Sequence, residues 1–336
     1  MTNQIPDPVE FTLRWSRIPS VSGNEEEVLA VVEDDLREYG WAVERIPVDT
    51  SRYNLLAGKR TGSVLLTSHL DTVPPFIEPS IHDEILSGRG VLDAKGQAAA
   101  MFCAATAMRS SIPDVSLLFV VGEETISDGA KAAAKTGLKF SYLINGEPTE
   151  NRCAVAQKGN LRVEVTCSGH SCHSGYPEAG RSAVHTLVML LHRVLSHSWP
   201  HDPILGSTTV NIGRISGGVA DNVLADSASA RLMFRLTEPH ADILRILEQL
   251  VGDDASLRID KGVDPITLHC PSGYPETVVS FGSDVPHLME IGTPVMIGPG
   301  SILRAHGDNE YITIRELREA VDIYRNLITH LSGRTE

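Results

Sequence analysis

Two histidines and a set of acidic residues stand in this chain where such side chains can hold metal ions and hydrolyse a bond. His69 and Asp71 follow the apolar run Val64–Ser68, Glu123 and Glu124 follow Val115–Val121 and a glycine, and Glu147 follows Tyr142–Asn145 and a glycine. Asp93 lies at a helix start, between the glycine-bounded Gly88–Leu92 and an alanine-rich stretch, and His306 lies in the glycine-rich loop Gly298–Gly307. Imidazole nitrogens and carboxylate oxygens are donors that a borderline cation such as Zn2+ accepts. The adjacent pair Glu123–Glu124 implies a division of labour, one binding a cation while the other stays free as a base for a water. Asp71, two residues from His69, is placed to orient that imidazole.

Each group also has a plain structural reading. A His-x-Asp is commonly a surface or capping pair, a Glu-Glu a solvated face, Gly-Glu-Pro a turn, and Asp93 a helix cap. Their joint position argues otherwise. The polar groups follow apolar strands, and in an open parallel sheet the carboxyl ends of strands meet at one crevice. Those strands are continuous apolar runs alternating with helices, the pattern of a largely parallel sheet covered on both faces. Asn24 with Glu27 reads as a capping box for a helix in which Val28, Val31, Val32 and Leu36 recur at helical spacing until Gly40. Ala94 to Arg109, rich in alanine and methionine, reads as a buried helix.

From Lys158 the texture changes. Leu161–Thr166 alternates like a half-exposed strand, a helix spans about Ala179–His197, and strands lie near Thr208–Ile215 and Ala228–Leu236. A helix near Ala241–Val251 and a last strand near Ile266–Cys270 complete a βαββαβ order, the ferredoxin-like motif. The chain then returns to a strand, Pro294–Gly298, and a closing helix near Ile314–Leu331. The fold class is therefore α/β, a mostly parallel sheet flanked by helices, with an inserted ferredoxin-like α+β domain. Residues 1–157 and 274–336 form the discontinuous metal-binding domain and 158–273 the insert.

The chain of 336 residues carries a formal charge of −14, which repels nucleic acid and anionic membrane alike. No apolar run reaches the ~18 residues of a membrane span, and Met1–Glu10 lacks a basic-then-apolar signal pattern. Five scattered cysteines give no disulfide framework, so the expected location is cytoplasmic. Cys172 reads as filler rather than nucleophile, with no separate base evident for it. His82, His185, His197, His201, His240, His269 and His287 read as structural or solvated.

Five ordered segments carry a family resemblance: His69–Pro74, Gly90–Gly96, Gly122–Glu124, Gly146–Thr149 and Ala305–Glu310. They resemble the M20 metallopeptidases, a group that includes acetylornithine deacetylase, succinyl-diaminopimelate desuccinylase, aminoacylase and a glutamate-releasing carboxypeptidase. The resemblance implies a zinc-exopeptidase-like catalytic domain holding two divalent ions, Zn2+ or alternatively Co2+. His69 and Glu147 would hold one, Glu124 and His306 the other, and Asp93 would bridge them. Glu123 would be the general acid/base and Asp71 would steady His69. The peptide Asp93–Ala94 would be cis. In the insert, His173 of Gly169–Ser174 would stabilise the oxyanion, in its own or a partner subunit. Asn222 and Arg235 would bind substrate, Arg235 gripping a carboxylate in a way a lysine could not. Gly300–Ser301 matches a substrate loop in which the family often has Gly-Asp. A homodimer through the insert is implied. The favoured reaction is amide hydrolysis of a small N-acyl amino acid, an N-acetyl amino acid deacetylase of the acetylornithine or acetylcitrulline type. A dipeptidase, carboxypeptidase or desuccinylase stays open. A non-catalytic metal-binding relative is the rival of another class, and the intact set Asp71, Glu123 and His173 weighs against it.

Overall fold

Successive residues of the apolar runs enter two different cores, which explains why those runs are continuous. In the strand Thr61–His69, Val64 and Leu66 join one buried cluster while Leu65 joins another; in Val115–Val120, Leu117 and Phe119 part from Leu118 and Val120 in the same way. A strand covered on both faces has no solvent side on which to place polar residues. The computed structural model describes residues 6–333. The chain forms two units: residues 1–155, 268–277 and 283–336, and residues 156–267 with 278–282.

In the first unit four strands run parallel in the order Val115–Val120, Thr61–His69, Lys139–Asn145, Thr293–Met296. Antiparallel strands flank them, Tyr53–Ala57 and Val43–Pro47 on one side and Cys153–Gln157 on the other. The helices Pro8–Ser16, Glu26–Glu38, Lys95–Met108 and Ile314–Leu331 contribute to the larger core, and Asp128–Ala134 to the smaller. Lys95–Met108 is buried from Lys95 through Ala105, as its small side chains allow. No helix among the described residues is long and apolar enough to cross a membrane.

Asn24 and Glu27 form no capping box. The helix begins at Glu26, with Glu25 at its cap position and no side-chain cap hydrogen bond. Asn24 is drawn instead into a turn, its N–H bonded to Val21 O at 2.8 Å, and the fully buried Glu25 faces Arg52 at 3.5 Å. A capping box does form at Thr313 and Glu316, ahead of the closing helix.

The second unit is a four-stranded antiparallel sheet in the order Thr209–Gly217, Ser227–Leu236, Gly159–Ser168, Ser256–Val263. The helices Ala183–Ser196 and His240–Val251 bury one of its faces. The βαββαβ order holds, but its last strand is Ser256–Val263 rather than Ile266–Cys270. Ser256–Val263 carries Arg258, Asp260 and Lys261 on a largely exposed edge with a register shift between Ile259 and Lys261, which hides its alternation. Ile266–Thr267 pairs with Gln157 and Ala156 instead.

Candidate metal centre

Parallel register brings the first unit's polar residues level. His69 pairs with Val120, Thr67 with Asn145, and Asn145 with Met296, so the chain turns out of all four strands at the same end of the sheet. Glycine makes the sharp exit possible. Gly122 has φ +72°, and a Cβ there would meet Asp128 Oδ1 at 2.0 Å.

Asp93 lies at the middle of the cluster. Its Oδ1 is 3.2 Å from His69 Nε2, and its Oδ2 is 3.2 Å from His306 Nε2. Glu124 Oε1 is 3.0 Å from the same His306 nitrogen. Donor atoms of His69, Asp93 and Glu124 all fall within 4.8 Å of one another. Glu147 is buried, accepts a hydrogen bond from Asn145 Nδ2 at 3.2 Å, and lies near enough to His69 and Asp93 to feel their charge. The Asp93–Ala94 peptide is cis. His306 takes a left-handed φ of +64°, a conformation a non-glycine residue keeps where its surroundings impose it.

Electrostatics divide these groups. Burial pushes the Glu147 carboxyl up to about 8. Hydrogen bonding to Asp93 and Glu124 raises His306 to about 10. Burial opposes a charge on His69, yet the hydrogen bonds its ring donates to Asp71 and Asp93 outweigh it and its pKa rises. Burial likewise pushes Glu123 well above the usual carboxylate range.

Asp71 has a wider role than steadying His69. The imidazole Nδ1 is 3.0 Å from the Asp71 backbone carbonyl and 3.5 Å from its carboxylate. The carboxylate itself accepts the backbone N–H groups of Glu123 and Glu124, both at 3.1 Å, and the Ser22 hydroxyl at 2.7 Å. One buried aspartate thus sets both His69 and the Glu-Glu pair.

Sequence reasoning missed Arg89 and Glu310 as parts of this centre. Glu310 Oε1 accepts the backbone N–H groups of Gly90 at 2.8 Å and of Leu92 and Asp93 at 3.2 Å. Its other oxygen meets Arg89 Nη1 at 2.6 Å, with the two side chains 0% and 1% exposed. Arg89 also donates to Pro75 O and His306 O. The pair therefore joins the loop carrying Asp93 to the loop carrying His306. A glutamate four residues beyond His306 in a quoted motif was the available signal.

Gly300 has φ +76°, with Leu92 Cδ1 2.2 Å from where a Cβ would stand, and Ser301 is buried with its backbone bridged to Thr149. In the second unit, His173 and Asn222 sit on adjoining loops: His173 bridges to Val223, and Ser174 donates to Asn222 O at 2.9 Å. His173 Nδ1 accepts the Gly175 N–H at 3.0 Å. Arg235 lies at the far end of the strand Ser227–Leu236, opposite Asn160 and Thr209. It is half-buried, and among the described residues its side chain has no hydrogen bond or ion pair. Desolvation, with the nearby Arg162 charge, lowers its pKa.

A largely parallel sheet in an α/β unit thus delivers imidazoles and carboxylates to one end, the donor set of a metal-binding centre. The peptidase dimerisation domain of the M20 family matches residues 155–253. A probable carboxypeptidase from Aspergillus fumigatus is 36% identical over 93% of this chain and 83% of its own length. A peptidase M20 domain-containing protein from Schizosaccharomyces pombe is also 36% identical, over 93% of this chain and 82% of its own. Among solved structures, a tripeptidase from Staphylococcus aureus superposes with a TM-score of 0.84 at 19% identity, covering 98% of both chains. A dinuclear metal-binding peptidase of the M20 family from Bacillus subtilis gives 0.73 at 14% identity, again over 98% of both. The chain belongs to the M20 family of metallopeptidases, which hydrolyse amide bonds.

Proposed function

We propose that this chain is a two-metal peptidase that cuts the amide bond on the amino side of an amino acid whose α-carboxylate is free. The observation that carries the reading is Asp93, with one carboxylate oxygen on each of two imidazoles. The donor set fits a pair of divalent cations, His69, Glu147 and Asp93 for one and His306, Glu124 and Asp93 for the other, with Zn2+ the expected metal. Bound there, the cations supply Lewis acidity and lower the pKa of an attacking water. Glu123, outside the ligand set and fixed through its backbone by Asp71, takes the proton from that water and hands it to the leaving amine nitrogen. Its raised pKa is the direction a proton shuttle needs.

Cation binding should release protons. Below about 8 the Glu147 carboxyl holds a proton and below about 10 the His306 imidazole does, so each must lose one to become a ligand. Metal affinity is therefore expected to rise with pH through both values. Calorimetric titration of the metal-free chain at pH 7, in buffers of different ionisation enthalpy, should show net proton release; none would remove Glu147 and His306 from the ligand set.

Arg235 supports the carboxylate requirement, because a desolvated guanidinium without a partner is suited to a bidentate anion. The carboxypeptidase relatives favour a peptidyl acyl group, and an N-acetyl amino acid is the other member of the same substrate class. A panel of dipeptides, longer peptides, N-acetyl and N-succinyl amino acids, assayed with Zn2+ or Co2+, separates them. C-terminal amidation of the best substrate and Arg235→Lys should each raise KM with little change in kcat. An amidated substrate cut as fast as the free acid would sink the carboxylate requirement.

The reading includes a homodimer. His173 and Asn222 adjoin the Ser227 end of a strand whose other end carries Arg235, eight residues and about 26 Å away at strand rise. One small substrate cannot span that length, so contact with both groups requires a second subunit to contribute one of them.

A further inference from the structure

The solvent face of the four-stranded sheet holds a cationic hollow lined by residues that have no assigned part in the proposed hydrolysis. One rung crosses all four strands: Arg214 is paired with Arg231, Arg231 with Glu164, and Glu164 with Arg258. Like charges directly opposite on neighbouring strands repel, since their Cβ atoms lie only about 5 Å apart. The acids nearby do not balance them. Glu164 is committed to Arg258, which also pairs with Asp260 at 2.6 Å, and Arg231 reaches Glu164 only at 3.9 Å. Among the described residues Arg214 makes no ion pair or hydrogen bond.

The backbone departs from regular pairing to create this juxtaposition. Ile212 is opposite the buried Leu232, so strict alternation would turn Arg214 to that same helix-covered side. A register shift between Ile212 and Arg214, at Gly213, puts Arg214 opposite the solvent-facing Arg231 instead. Bulges re-aim side chains in this way. The next rung on the same face pairs Ser216 with Ser229. Arg214, Arg231, Ser216, Ser229 and Glu164 line a hollow of about 200 Å³. Two guanidinium forks and two hydroxyls around a small space form the donor set of an oxyanion site, a local cationic patch in a chain whose formal charge is −14.

We propose that the hollow between Arg214 and Arg231 binds a small oxyanion, a phosphate or a carboxylate, with Ser216 and Ser229 as hydroxyl donors and Glu164 as the group that limits affinity. The test is calorimetric titration of the full-length chain with inorganic phosphate and, separately, with succinate, at low ionic strength, for the wild type, R214Q and E164Q. The metal centre can also take phosphate, so the site is read as the difference between wild type and R214Q. R214Q should lose this binding event by about tenfold or more, the loss of one charge-assisted fork. E164Q should tighten it several-fold, a gain that damage to the fold would not produce. Phosphate binding without succinate identifies a phosphate site, and binding of both a general carboxylate-accepting one. Equal titration of wild type and R214Q, or no tightening in E164Q, overturns the proposal.

Discussion

Glu123→Gln should retain the wild-type complement of metal and lose turnover by about 10²- to 10⁴-fold, the usual share of a general acid/base. The side chain keeps its volume, and the contact that fixes its position is made by its backbone N–H to Asp71 at 3.1 Å, which the substitution leaves alone. What disappears is a carboxylate that can take a proton from water and return it to nitrogen. The neighbour cannot substitute, because Glu124 is engaged with His306 at 3.0 Å. Metal content by atomic emission and initial rates on the best panel substrate decide the matter. Near-normal rates would remove Glu123 from the chemistry; a loss of metal in proportion to activity would make it a ligand instead.

Glu310→Ala should be the most damaging single substitution away from the ligands. It leaves Arg89, 1% exposed, as an unpaired buried charge and strips three backbone N–H groups of their acceptor. Breaking a buried pair in this way costs about 3–5 kcal/mol. Because one of the three N–H groups belongs to Asp93, metal affinity should fall as well, by about 10- to 100-fold, as when partners that orient metal ligands are lost. Glu310→Gln, which keeps a carbonyl oxygen for the N–H groups, should fall between. Urea unfolding and metal titration measure the two effects separately. An alanine variant with unchanged midpoint and unchanged affinity would show that the clamp orients nothing.

The site was legible in the sequence to the extent that its parts obey local rules. Continuous apolar runs followed by Gly-Glu or His-x-Asp mark strand ends, and the structure ends its strands at His69, Val120 and Asn145, at or within two residues of the expected positions. The alanine-rich helix and the order of the insert were legible for the same reason. Edge elements were not. Ser256–Val263 hides its period behind a register shift and charged residues, and the capping signal of Asn24 and Glu27 lost to burial of Glu25 against Arg52.

By itself the sequence determined the chemical types, their order, and the strand ends from which they emerge, since these follow from side-chain period and turn residues over a few positions. Only the tertiary structure decided which of them meet. Asp93 touches both His69 and His306, the latter 213 positions further on in the numbering, because packing brings the loops carrying Asp93 and His306 to the end of the sheet where His69 stands. It also decided that Glu310 holds the Asp93 loop, that Asp71 serves the Glu-Glu pair as well as His69, and that a bulge at Gly213 turns Arg214 toward Arg231. These contacts depend on long-range packing and on single-residue shifts in register, neither of which leaves a periodic trace in the chain.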